Sequence, residues 1–274
     1  MRRRFFRFLQ RLLVAALGVL SIWLIVFVFR IVDRRLPSIL ALAVSYAIAA
    51  YVILPYVVLL GLKILHRKRV PSYTITGDGL PGDPINLVLI GTLQQLNAAF
   101  AAAGWSQADP LNLASSWRMV RAFLFNSPYP TAPFSTLYLF GRSQDIGFQQ
   151  PIGDSPRKRH HVRFWALSMA HEAALGTSRF WHGAARPPAD ACVLWVGAGT
   201  RDTGFSLTRL TFQITHATDS DTNAERDYIV AELGKIRAIG DVTSYRAGQH
   251  LPPEHVNHYV TDGEVTAANL MVKS

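Results

Sequence analysis

Charged residues are missing from two long stretches of the chain, Leu12 to Phe29 and Leu36 to Leu62. At ~1.5 Å rise per residue, a helix over the first would cover ~27 Å, close to the ~30 Å hydrocarbon core of a bilayer, and the second leaves slack for tilt. The pattern predicts a membrane anchor over residues 1–70, with transmembrane helices at about 12–29 and 36–62. Pro55 lies inside the second and predicts a kink, whereas Pro37 falls in its first turn, where a missing N–H costs nothing. The alternative for the first run is a cleaved signal peptide, but the run is too long for one and no small-x-small site precedes Arg30.

From Pro71 to Pro84 the composition shifts to Pro, Gly and Asp, a linker and turn signature, and residues 85–274 then read as one globular domain. Ile85 to Gly91 predicts a largely buried strand. Thr92 with Gln95 forms a capping box before the helical stripe Leu93, Leu96, Phe100 and Ala103, which Gly104 ends. Asp109-Pro110 predicts a cap and first turn for a second helix, with Leu113, Trp117, Val120 and Leu124 as its buried face. Strand-like runs follow at Thr136–Phe140, His161–Leu167, Cys192–Ala198 and Leu210–His216, and residues 170–188 read as an irregular surface loop. A capping box at Thr222 and Glu225 opens a third helix, and Asp241–Tyr245 and a hairpin around Asp262-Gly263 close the chain as strands. Strands in succession with separated helices predict an α+β fold with a mixed or mostly antiparallel sheet.

Charge sharpens the membrane reading. The 274 residues carry a net +10 with 50% hydrophobic and only 17% charged residues. Residues 1–70 hold 12 Lys and Arg against the single acidic Asp33, a surplus of +11, so the remaining 16 basic and 17 acidic residues sum to −1. A near-neutral domain offers no broad positive field for a phosphate backbone, which excludes nucleic acid as the default partner. Membrane lipids, or another membrane protein, are the partners this distribution predicts. Nine basic residues flank the outer ends of the two spans and three, Arg30, Arg34 and Arg35, lie between them. The positive-inside rule then predicts an integral protein of a bacterial-type inner membrane, with both termini and the globular domain cytoplasmic. Cys192 is the only cysteine, which excludes a disulfide scaffold.

Candidate chemistry gathers at two places. In Arg157 to Trp165, strand alternation puts Val162 and Phe164 on a core face and His161, Arg163 and Trp165 on the other. With the adjoining His160, these residues could hold an anionic head group; the plain alternative is a basic strand start with a solvated polar face. At the second place, His216 continues the face of Leu210, Phe212 and Ile214, and Asp219, Asp221 and Glu225 follow. An imidazole with carboxylates could work as an acid–base pair or hold a divalent metal, so a hydrolase using His161 and His216 with Asp219 or Asp221 is the enzymatic reading. The opposing reading gives the acidic residues to a helix N-terminus. The glycines of Trp195 to Asp202 read as a hairpin turn. His250, His255 and His258 read as a polar loop. The sequence names no cofactor, and His171-Glu172 lacks the second histidine of a zinc-protease helix.

Several of these pieces, in order, carry a resemblance. Asp83 to Gly91, Ala101 to Trp105 with Ala108 and Asp109, Arg159 to Trp165, Trp195 to Ala198, and Ile214 to His216 with Ala224 to Asp227 together resemble the LssY-like C-terminal domain. In that family the domain is frequently attached to, or encoded beside, membrane proteins of the phosphatidic-acid phosphatase type 2 superfamily or the DedA-like family. The resemblance implies a membrane and lipid-phosphate setting and supplies no mechanism. The phosphatase signatures themselves are missing here: Ser178-Arg179 is followed by His182 too soon.

Overall fold

The computed structural model describes residues 2–65, 71–125, 127–153, 158–168, 187–188, 190–207, 214–246 and 259–271. The expected loop at 170–188 and the histidines at 250, 255 and 258 lie, but for residues 187–188, outside the described residues.

Helix α1 (Arg2–Asp33) and a second helical arm form an antiparallel hairpin, tied by a hydrogen bond from Gln10 Nε2 to the carbonyl of Ile64, 2.8 Å. The second arm is α2 (Ser38–Ile48), a π-helical turn (Ala49–Ile53) and α3 (Leu54–Leu65), with Pro37 at its N-cap. The wide turn stands immediately before Pro55, whose ring would clash with the carbonyl four residues back in a regular α-helix. The stretches Phe8–Asp33 and Ser38–Leu62 are long and apolar enough to cross a membrane.

The segment expected as a linker is instead structured. β1 (Tyr73–Ile75) and β2 (Pro81–Pro84) pair as a hairpin around Gly79, which adopts φ 84°. With β5 (Tyr138–Leu139) and β6 (Arg142–Ser143) they form a small sheet in the order β2-β1-β5-β6.

The larger sheet has eight strands: β3 (Leu87–Gly91), β4 (Ser106–Gln107), β7 (Ile146–Pro151), β8 (Arg159–Ser168), β9 (Val193–Leu207), β10 (Ile214–Thr218), β11 (Ile239–Arg246) and β12 (Glu264–Leu270). Its order is β11-β12-β3-β9-β8-β7-β4, with β10 pairing the far end of β9, and among the described strands β12 and β3 are the one pair that runs parallel. This is the expected α+β architecture. Fifteen-residue β9 is its spine, straight through the glycines expected to turn. A Cβ on Gly197 would lie 2.7 Å from the Phe164 ring and one on Gly199 2.6 Å from Ile229 Cδ1, so the two glycines, which share the helix-side face of the strand, admit close packing there.

On one face, α4 (Leu93–Ala102) and α6 (Thr222–Lys235) set Leu96, Phe100, Ile229 and Leu233 against Leu87, Leu89, Phe148, Val162, Phe164 and Trp195. The α4 capping box forms as expected, with both Thr92–Gln95 bonds present. The N-cap of α6 is Asp221, because Thr222 is buried and gives its hydroxyl to the carbonyl of Val260, and Glu225 turns to His160. On the opposite face the small sheet covers Ile85, Leu137, Leu139, Trp165, Val196 and Ala198.

α5 (Leu113–Leu124) departs from expectation twice. Asn112 and Ser115 cap it reciprocally, while Asp109 instead accepts from Tyr129 and pairs with Arg118. Its predicted buried face points outward: Leu113 is 92% and Trp117 64% exposed.

Candidate functional site

β8 alternates as the sequence demands. Val162 and Phe164 enter the helix-side core, and Arg159, His161, Arg163 and Trp165 face the small sheet. That second face is not solvated: His161 is 1% exposed and Arg159 and Arg163 are 4%. Burying two guanidiniums requires paired countercharge, because an isolated charge inside a protein costs several kcal/mol.

Two carboxylates supply it. Arg159 Nε donates to Asp202 Oδ2 at 2.7 Å, and Arg163 Nη1 donates to Asp83 Oδ2 at 2.6 Å. Asp202 lies on β9, directly opposite Arg159 in register, and Asp83 sits at the end of β2. Gln149 of β7 accepts from Arg159 through its side-chain oxygen and donates to the carbonyl of Ala132 at 2.8 Å. Tyr259 donates to Asp83 Oδ1 at 2.8 Å and accepts from Thr218 at 2.9 Å.

His161 sits between the two pairs. Its Nε2 is 2.6 Å from Arg163 Nη1 and 2.8 Å from the Thr200 hydroxyl, and its Nδ1 is 3.3 Å from Asp202 Oδ1. A guanidinium only donates, so Nε2 accepts and the ring proton belongs on Nδ1, facing Asp202. The result is a charge-balanced cluster of two arginines, two aspartates and one imidazole.

Phe134 covers it. The guanidinium carbons of Arg159 and Arg163 lie 4.9 and 4.8 Å from the phenyl centroid, with the His161 ring at 5.2 Å. Gly147 makes room for the ring, since a Cβ there would come within 2.2 Å of Phe134 Cε2. Beneath it, burial would raise the Asp83 carboxyl, but Arg163, His161 and the Tyr259 hydroxyl outweigh burial and hold it down at about 2. Burial, and then the Asp83 charge, push the Tyr259 phenol well above its usual value. Burial lowers the Arg159 guanidinium against the pull of Asp202.

The expected site residues therefore separate. His161 and Arg163 share the cluster, Trp165 belongs to the adjoining apolar layer, and His160 lies on the helix side. There His160 Nδ1 meets Glu225 Oε2 at 2.7 Å and its ring stacks on Tyr228 at 4.0 Å. Asp221 caps α6 through the backbone N–H groups of Asn223 and Ala224, and Asp219 accepts from the Asp221 N–H. Both acidic residues are thus committed to the helix start. His216 pairs with Phe205 in the β10–β9 ladder, and its side chain lies outside the described residues. Among the described residues, the carboxylates within 4 Å of the His161 ring are Asp83 and Asp202, and no group of three His, Cys, Asp or Glu side chains is arranged to hold a metal.

Sequence reasoning missed Arg159, Asp202, Asp83, Gln149, Thr200, Phe134 and Tyr259. Arg159 was within reach, since it shares the parity of His161 and Arg163; Asp83 was hidden by the turn-like residues around it.

Two N-terminal helices able to cross a membrane, followed by a two-sheet α+β domain with an ionic centre between its sheets, define the class of this protein. The chain belongs to the LssY C-terminus family, whose model matches residues 67–265. That match takes in the β1–β2 hairpin, in agreement with its place in the small sheet. No curated protein and no solved structure matches the chain.

Proposed function

We propose that this protein is a membrane-anchored binding or accessory module of the cell envelope, whose ligand is an anionic, phosphate-bearing, lipid-related molecule held at Arg159, His161 and Arg163. The supporting observation is a pair of unused donors. Arg159 Nη2 and Arg163 Nε are buried without a hydrogen-bond partner, on neighbouring guanidiniums under one phenyl ring. Buried donors of this kind are costly when idle, and two guanidinium edges match the oxygens of a phosphate. Rotation of Phe134 away from them admits the ligand. A head group fits this recess better than a protein surface does, because the donors lie below the surface. The surplus of basic flanks supports a domain on the cytoplasmic side of a bacterial-type inner membrane; a reporter active only outside the cytoplasm, fused after Ser274, is expected to stay silent.

The test is calorimetric titration of the full chain, in phosphatidylcholine nanodiscs, with dihexanoyl phosphatidic acid. Saturable binding is expected, weakened about tenfold or more in Arg163→Lys, which keeps a charge beside Asp83 but has no Nε. Equal binding by both proteins would remove the arginine edge from the account.

A second reading, a hydrolase, draws on one alignment: the Thr200 hydroxyl, the His161 imidazole and the Asp202 carboxylate stand in the order nucleophile, base, orienting acid. Thr200 is fully buried in mid-strand, which favours a holding role. Phosphorus NMR of the same samples separates the readings, since released inorganic phosphate with time would favour the hydrolase.

A further inference from the structure

α5 is amphipathic with its apolar side turned away from the protein. At about 100° per residue, Leu113, Trp117, Val120 and Leu124 fall within roughly 60° of arc. All four are exposed, from 42% to 92%, and Leu111 and Phe125, just outside the helix ends in the chain, are exposed as well. The helix rests on the domain through its opposite side, where Ser115 and Ala122 are buried. A twelve-residue helix with an apolar stripe this regular has a partner surface, because isolated exposed apolar residues do not fall at helical spacing by accident.

We infer that this stripe docks into the head-group region of the bilayer that the two N-terminal helices are suited to span; the inference rests on that membrane reading. Position supports it first. The domain follows α3 within a few residues, and the β1–β2 turn reaches back to it: a Cβ built on Gly79 would lie 3.4 Å from Val58 Cγ2, near the end of the second apolar stretch. Composition supports it second. The helix carries Arg118 and Arg121 and no acidic residue. Arg118 is held by Asp109, 3.1 Å away, whereas Arg121 flanks the stripe, where its stem can lie along the acyl boundary and its guanidinium reach lipid phosphates. An apolar face of Leu, Trp and Val edged by arginine is the pattern of a helix lying in a membrane interface, with Trp at head-group depth. The domain would then be fixed in orientation by two contacts, its tether and α5, with the β8 cluster held at a constant height above the lipid.

The experiment uses the full chain with Cys192→Ser and single cysteines at Leu113, Trp117 or Leu124, labelled with bimane, in nanodiscs of phosphatidylcholine and phosphatidylglycerol. Val26→Cys serves as the in-bilayer control and Ala231→Cys as the water control. Doxyl-labelled lipid is expected to quench all three α5 positions at least half as strongly as Val26, and aqueous iodide to quench them several-fold less than Ala231. Iodide quenching equal to that of Ala231, with Val26 still quenched by lipid, would overturn the docking alone. Protection from both quenchers would overturn it in favour of a protein or second-copy contact. A Val26 label open to iodide would overturn the membrane reading together with this inference.

Discussion

Replacing Asp83 by Asn is expected to destabilise the domain by about 3–5 kcal/mol, the usual cost of stranding one partner of a buried ion pair. Arg163 would remain 4% exposed with its nearest carboxylate gone, and the Tyr259 hydroxyl would lose its charged acceptor. For a domain of this size that loss corresponds to a fall in Tm of roughly 10 °C. The same group gives the wild-type chain an acid limb. Its folded value of about 2 is depressed below the 3.8 of an unperturbed aspartate. A depressed carboxyl contributes stability that is fully present above the unfolded value and is lost as the pH falls through the folded one, so the loss runs from about pH 4 down to about pH 2. Roughly 2–3 kcal/mol is at stake in that window. Thermal unfolding across it should show a steep slope in the wild type that is shallower in Asp83→Asn. Equal slopes and equal Tm would mean that Asp83 does not carry the charge balance of the cluster.

Removing both charges together is expected to behave quite differently. In Asp83→Leu, Arg163→Met, Tyr259→Phe, no buried ion is stranded and no phenol is left without an acceptor. Apolar replacements of similar volume for buried ion pairs are often neutral or stabilising, because the desolvation cost of two ions disappears with their attraction. This triple variant should therefore melt within a few degrees of wild type, well above the single Asp83→Asn change. A fold that stands without these charges does not keep them for stability, which makes ligand binding their proposed role.

How much of this was written in the sequence depended on range. Features set by neighbours a few residues apart were legible: the two apolar stretches, the Thr92–Gln95 box, and the alternation that gives β8 a core face and a charged face. Features set by distant partners were not. Asp83 meets Arg163 and Tyr259 across 80 and 176 residues, and nothing near it in the chain announces either contact. Pro81 to Pro84 has the composition of a turn, yet it forms a strand of the small sheet, where it pairs with β1. The glycines of β9 read as a turn for the same reason; their cause is the bulk of Phe164 and Ile229, packed against Gly197 and Gly199 on the helix side of the strand. The α5 stripe was legible as a helix face, and the error lay in assuming that an apolar face packs inward. In a chain with two helices long and apolar enough to cross a membrane, a lipid surface is a second candidate for it.

A ligand-binding role for the charged face of β8 has a decisive test: titrating dihexanoyl phosphatidic acid into the triple variant, in nanodiscs, once its thermal unfolding has established that it is folded. The expected result is a folded protein with no saturable binding, where the wild type saturates. A folded triple variant that binds as the wild type does would contradict it.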